Sequence, residues 1–404
     1  MKIQLSLVMI LGFFLSFFLF GCAQQPAKRF TVQRAQENLN FSMVQYEAMH
    51  QGFSDRANYP NCILPDGTTR YIRARDWTSG FYPGSLWYLY EYSGDDKFKK
   101  MAMESNAALE EIKTYGGTHD LGFMLYGSFG HGLRLAQVPG YRDILVQGAR
   151  TLATRYNPTV GCTLSWSWGA SRGWEFPVII DNMMNLEYLF WAARETGEDA
   201  FRDMAVSHAR TTMKHHFRDD SSCYHVVDYD PNTGEVRWRG THQGNADDSA
   251  WARGQAWGLY GYTMVYRETK QAEFLEQAKR IAQFLLEHPS LPEDLVPYWD
   301  YNAPQIPDEP RDTSAAALMA SALLELSTYV EEPTKSEYWL AAEKILDSLC
   351  SPAYRAEVGE NNHFLLMHSV GNYPRNSQVD TPINYTDYYF IEALTKYLKL
   401  SGER

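Results

Sequence analysis

Cysteine is scarce in this chain: five residues in 404, with no Cys-x-x-Cys pair among them. Cys62, Cys162, Cys223 and Cys350 lie at irregular spacings. That argues against a zinc site, whose thiolates usually come in close pairs. Their even number does not by itself make disulfides. Basic runs are also lacking. With 37 Lys and Arg against 49 Asp and Glu, the formal net charge is −12. A chain of that balance lacks the electrostatic footprint of a nucleic-acid binder. Binding an anion would require a local cluster of Arg, His or backbone donors. Nor is there an apolar run long enough to cross a bilayer comfortably. The run Leu5–Phe20 falls short of the about 20 residues a spanning helix needs.

That run follows Lys2 and ends at Gly21-Cys22, so it reads as a signal peptide. Leu19-Phe20-Gly21-Cys22 is similar to a bacterial lipobox, although Phe20 is bulky for its place. The expectation is that residues 1–21 are removed and Cys22 carries lipid. Residues 22–30 then form a tether, and the protein faces the periplasm from the bacterial cell envelope, touching membrane only through its anchor. An ordinary signal peptide cleaved nearby is the alternative. Residues 31–404 contain no clear boundary and are expected to form one large catalytic domain.

What the chain does have is a repeat. Apolar segments headed by an acid alternate with amphipathic, charged ones. The first class starts near Asp76, Asp120, Asp181, Asp248, Asp312 and Asp387. Segments such as DTSAAALMASALLELSTYV are apolar on most sides, as buried helices are. The second class covers about 34–50, 97–113, 142–155, 199–217, 271–288 and 335–350; FLEQAKRIAQFLLEH shows its single charged face. Six pairs at roughly 60-residue spacing make a repeat architecture. The predicted fold is all-α: an (α/α)6 barrel, or six-hairpin toroid, with a small β-hairpin insertion. The hairpin is VVDYDPNTGEVRWRG, turning at Pro231–Gly234. Segment 289–311, rich in Pro and acids, is a long loop. If the inner helices run parallel, their acid-headed starts meet at one end of the ring, where helix dipoles favour anions.

Asp181 introduces two roles that the sequence leaves open. It ends the extended stretch FPVII and precedes an apolar helical pattern up to Gly197, so it fits an N-cap. It also follows SWSWGASRGWEFPVII, dense in Trp, and so fits a catalytic acid. Asp120 follows Tyr-Gly-Gly-Thr-His, with His119 beside it. Two carboxylates on adjacent helix starts can share a pocket, where one is held protonated and the other ionised. Acid–base work on a sugar needs that arrangement. His215-His216 reads as an exposed pair on a charged helix.

Several stretches resemble glycoside hydrolase family 88, the unsaturated glucuronyl hydrolases: HDLGFM (119–124), SW (165–166), VIIDNMMNLE (178–187), THQG (241–244) and WARGQAWGLYG (251–261). They occur in order, within matches running from about Trp77 to Tyr389. The resemblance implies an (α/α)6 barrel. It also implies removal of a 4,5-unsaturated uronic acid from the non-reducing end of lyase-generated oligosaccharides, with no cofactor or metal. It assigns Asp181 as general acid–base and Asp120 as its partner. His119, His225, His242, Gln243 and Arg253 then lie toward the substrate. Trp166, Trp257 and Trp77 are candidate sugar platforms, since apolar sugar faces pack on aromatic rings. Arg253 sits in an apolar helix, so it must meet an acid or face the pocket. The segment HSVGNYPRNSQVD (368–380) departs from the family pattern, and Arg375, Asn376 and Ser377 are placed to meet a sulfate or carboxylate on the neighbouring sugar. Alternatives are an unsaturated rhamnogalacturonyl hydrolase, an ordinary inverting glycosidase, and a non-catalytic carbohydrate-binding lipoprotein.

Overall fold

The structure, a computed structural model, describes residues 30–402. The signal peptide, the lipobox and Cys22 lie outside the described residues. Phe30, expected in the tether, belongs to the fold: its ring meets Tyr397 edge-on at 5.1 Å and its carbonyl accepts from the Tyr397 hydroxyl.

Six outer helices fall where the amphipathic pattern places them: α1 (Val32–Gln51), α3 (Asp96–Asn106), α5 (Tyr141–Ala153), α7 (Asp199–His215), α9 (Ala272–Glu287) and α11 (Thr334–Leu349). In α9 the buried residues Phe274, Gln277, Ala278, Ile281, Ala282 and Leu285 recur at three- and four-residue steps, one stripe turned inward. Each large apolar side chain so buried stabilises the fold by about 1.5–3 kcal/mol. The inner elements are α2 (Phe81–Ser93), the π-helix Gly122–Gly130 continuing into α4 (His131–Ala136), and the 3₁₀ turn Ile180–Asn185 continuing into α6 (Leu186–Thr196). They go on with α8 (Ala252–Thr269), α10 (Thr313–Leu326) and α12 (Asn384–Leu400). In α10 all but one residue is buried, and its alanines let neighbouring helices approach closely.

Each inner element packs on the next, and α12 packs back on α2, so the ring closes. Starts meet starts: Arg253 of α8 reaches Asp312 before α10. Ends meet ends: Arg267, late in α8, pairs with Glu325, late in α10. The inner helices are therefore parallel, as an (α/α)6 barrel requires.

Capping explains fewer of the six acids than expected. Only Asp312 is an N-cap, accepting from the Ser314 amide at 3.1 Å. Asp76 closes a turn ahead of α2, and Asp387 lies inside α12, accepting from the amides of Leu365 and Leu366. The cap position ahead of the Asp181 turn is Ile179, and no side chain caps it.

The predicted hairpin is present as strands Val226–Tyr229 and Val236–Gly240. A third strand, Phe176–Ile179, pairs antiparallel with the first, opposing Val178 to Val227. The approach to Asp181 is thus stitched into a sheet. The expected loop at 368–380 is a second hairpin, Ser369–Asn372 with Ser377–Thr381, where Asn376 takes the left-handed conformation (φ 47°) that Asn tolerates. The four cysteines are buried single thiols. His216, expected exposed, is fully buried at the end of α7, and burial pushes its pKa down to about 3.

Candidate active site

Asp120 and Asp181 sit on neighbouring inner elements at the starting end of the ring, 9% and 7% exposed. Each is backed by a histidine whose tautomer the surroundings dictate. The Nδ1 atom of His225 accepts from the backbone amides of His242 and Gln243, both at 3.2 Å. It therefore carries its proton on Nε2, which points at Asp181 Oδ2 from 3.6 Å. That is longer than a formed hydrogen bond; the N–H is a poised donor. On the other side, the Asn185 side-chain oxygen accepts from the Gly122 amide, so its NH₂ group faces His119 Nδ1 at 3.3 Å. His119 is thereby also protonated on Nε2, which lies 3.2 Å from Asp120 Oδ1 without an aligned hydrogen bond. Thr118 donates its hydroxyl to the other Asp120 oxygen.

Asn182 and Asn185, not singled out in the sequence, do the positioning. Asn182 ties the Asp181 turn to the Thr163 carbonyl, and Asn185 ties it to the Asp120 element. Their signal was present in DNMMN: two amides three residues apart lie on one side of a helical turn.

Burial pushes the Asp181 carboxyl up to about 7, and the charge of Asp120 adds to the rise. Arg253, and the indole N–H of Trp257, pull it the other way. Both histidines are held below their ordinary value by burial, His225 far below. They are neutral donors, and so do not form ion pairs with the acids.

The walls are aromatic. Trp166 stacks on Trp168 at 4.6 Å and on Trp174 at 6.0 Å, and meets His242 edge-on at 5.1 Å. Trp168, missed in the sequence, is 46% exposed. Trp77, half-buried, stacks on Tyr385. His242 is partly open, and burial with Arg172 and Arg375 nearby pushes its pKa down to about 4.

Five expected substrate contacts are placed differently. His119, His225 and Trp257 are sealed from solvent, and each lies beside one of the two carboxylates. The Gln243 side-chain NH₂ is engaged by the Gly371 carbonyl at 2.9 Å. Arg253 is 1% exposed, and its two terminal nitrogens are engaged by the scaffold: Asp312 at 3.1 Å, the Gly371 carbonyl at 2.6 Å and the Val370 carbonyl. It pins the hairpin 369–381 to the ring. Breaking a buried charge pair costs about 3–5 kcal/mol. We expect Arg253→Ala to lower the melting temperature and to reduce kcat/KM equally for a free uronate and its methyl ester. Selective loss on the free acid would show that the guanidinium binds the carboxylate directly.

A closed ring of six helix pairs, with two buried carboxylates in a Trp- and His-walled cleft, is a site suited to acid–base chemistry on a sugar. The chain belongs to glycoside hydrolase family 88, whose model (Glycosyl Hydrolase Family 88) matches residues 148–400. It is 44% identical to an unsaturated glucuronyl hydrolase of Formosa agariphila, over 98% of both chains. It is 33% identical to an unsaturated chondroitin disaccharide hydrolase of Streptococcus pyogenes, over 85% of this chain and 86% of that one. Among solved structures, that of an unsaturated glucuronyl hydrolase specific for heparin superposes with a TM-score of 0.89, at 47% identity. The match covers 92% of this chain and 99% of that one.

Proposed function

We propose that this enzyme removes 4,5-unsaturated glucuronic acid from the non-reducing end of glycosaminoglycan-type oligosaccharides, by hydrating the C4=C5 enol ether. The observation that carries this reading is the Asp181 carboxyl, buried beside Asp120 and raised to about 7. A protonated acid is what an enol ether needs, because it protonates on carbon to give a cation stabilised by the ring oxygen.

Asp181 delivers its proton to C4. Asp120, held by the Thr118 hydroxyl with His119 beside it, stabilises the charge spread over C5 and the ring oxygen. Water adds at C5, with Asp181 as the base that receives its proton. The resulting hemiketal opens, and the aglycone leaves from C1 without displacement there. The neutral His225 Nε2–H steadies the Asp181 carboxylate once it has lost its proton.

Trp166 and Trp77 flank the sugar with aromatic faces. Arg172 and Arg375, both exposed, face His242 from different loops, and each lacks an ion-pair partner among the described residues. They supply the local cationic patch that an acidic protein needs to hold an anionic aglycone. A lipid on Cys22, keeping the enzyme in the envelope where lyase products arrive, fits the N-terminal pattern.

The test is turnover of a panel of lyase-generated unsaturated disaccharides, sulfated and unsulfated, with the matching unsaturated rhamnogalacturonan disaccharide. We expect the glucuronyl disaccharides to be cleaved at least about 100-fold faster, the scale on which one misplaced polar contact discriminates. Preference for the rhamnogalacturonan substrate would replace the reading. Binding without turnover of any would make the protein a carbohydrate-binding module.

A further inference from the structure

Further along the inner helices from Asp120 and Asp181, from Tyr126 and Glu187 to their late residues Arg267 and Glu325, lies a cavity of about 620 Å³. We propose that it is a binding site for a neutral saccharide, separate from the catalytic cleft. Its volume falls within the roughly 300–1,000 Å³ of small-molecule sites.

The lining selects the ligand class. One wall is an aromatic corner: Tyr126 and Trp191 lie 6.0 Å apart at 46°, both half-buried, and Tyr126 is backed by Tyr188 stacked at 5.5 Å. Aromatic side chains lining a cavity are the groups on which the C–H side of a pyranose packs. Beside it, one turn from Trp191 on the same helix, begins a fork of planar polar groups, with Arg267 between Glu187 at 2.5 Å and Glu325 at 3.0 Å. The side chains of Glu187 and Arg267 remain 28% and 29% exposed. Carboxylate and guanidinium edges span the spacing of vicinal hydroxyls, each of which can donate to one and accept from the other.

Charge excludes the other classes. Every Lys and Arg in the lining is already paired: Arg134 and Lys399 with Glu91, Arg142 with Glu195, Arg194 with Glu268, and Lys396 with Glu325. Burial pushes the pKa of His131 down to about 3, so it adds no charge. An anion would find no free cation. Among the described residues no cluster of His, Cys, Asp and Glu is set to hold a metal. An apolar ligand would have to strip water from the Glu187–Arg267–Glu325 fork without replacing its hydrogen bonds.

The experiment is saturation-transfer NMR on the full chain with glucose and with N-acetylglucosamine, followed by soaking crystals in the same sugars. A monosaccharide of about a dozen heavy atoms is expected to bind with Kd of about 1 mM, at ordinary ligand efficiency. Trp191→Ala and Glu187→Gln should each weaken this binding at least tenfold. Trp191→Phe should retain it, since it keeps an aromatic face. All three should keep kcat/KM on the unsaturated disaccharide within twofold. Three results would overturn the proposal: no transfer at a concentration well above that Kd, transfer unchanged in Trp191→Ala and Glu187→Gln, or sugar density only in the cleft at Asp181. Loss of binding in Trp191→Phe together with a lowered melting temperature would also count against it, because packing would then explain the effect.

Discussion

Asp181→Asn should reduce turnover of the unsaturated disaccharide by about 10³-fold, within the range that removal of a general acid costs. Substrate affinity should change little. Asn keeps the shape of Asp and can turn its oxygen toward the His225 N–H. The carboxylate caps no helix, so no cap is lost. In the wild type, kcat should fall as pH rises through about 7, because the acid that protonates C4 loses its proton there. That limb should vanish in the variant's residual rate. Stability provides an independent check. The Asp181 pKa is raised in the fold from an ordinary value of 3.8, so the folded chain holds a proton that the unfolded chain has released between about pH 4 and pH 7. Wild-type stability therefore declines across that window and levels off above it. Asp387, also raised to about 7, contributes in the same direction, but equally in both proteins. Asp181→Asn should thus melt above wild type at pH 8 and match it at pH 4. A variant with near-normal turnover would remove Asp181 from the mechanism. Asp120→Asn should cost about 10²-fold, the scale of one electrostatic stabiliser of a developing charge.

In oxygen-18 water, the first label should appear in the C5 carbonyl of the product and not at C1. In heavy water, one deuterium should appear at C4. Both follow from protonation at C4 and hydration at C5, provided samples are quenched before carbonyl exchange scrambles the oxygen. The saturated glucuronide should be inert, since without the alkene no C5 cation forms on protonation. Its cleavage would need an attack at C1, for which paired carboxylates must flank that carbon from opposite sides. Label only at C1, with C4 free of deuterium, would make this an ordinary glycosidase.

The periodicity of the chain made the ring legible. Alternating all-apolar and one-faced helices admit few packings, because a helix apolar all round must be covered on every side. The outer-helix limits agree to within a few residues for the same reason, except that α3 stops at Asn106 and the rest of its expected span is a 3₁₀ helix, Ala107–Thr114. The small paired strands Tyr59–Ile63 with Thr69–Ile72 went unread, since four or five residues of mixed burial carry little period. The acids at the inner-helix starts were visible, but not what each does. Asp312, Asp387 and Asp181 look alike in sequence; one caps, one accepts from a loop, and one is left with an unpartnered oxygen.

The sequence by itself determined the helix pairs, because helical spacing is a local property, and its family motifs pointed to the two acids. It also showed that Arg253 needed an acid or a pocket. Only the tertiary structure decided between those. The guanidinium meets Asp312, 59 residues away, and Gly371, 118 residues away. Likewise the proton positions on His119 and His225 are set by Asn185 and by the amides of His242 and Gln243. Whether a buried polar group serves the scaffold or the chemistry depends on which partners surround it, and ring closure brings those partners from distant parts of the chain.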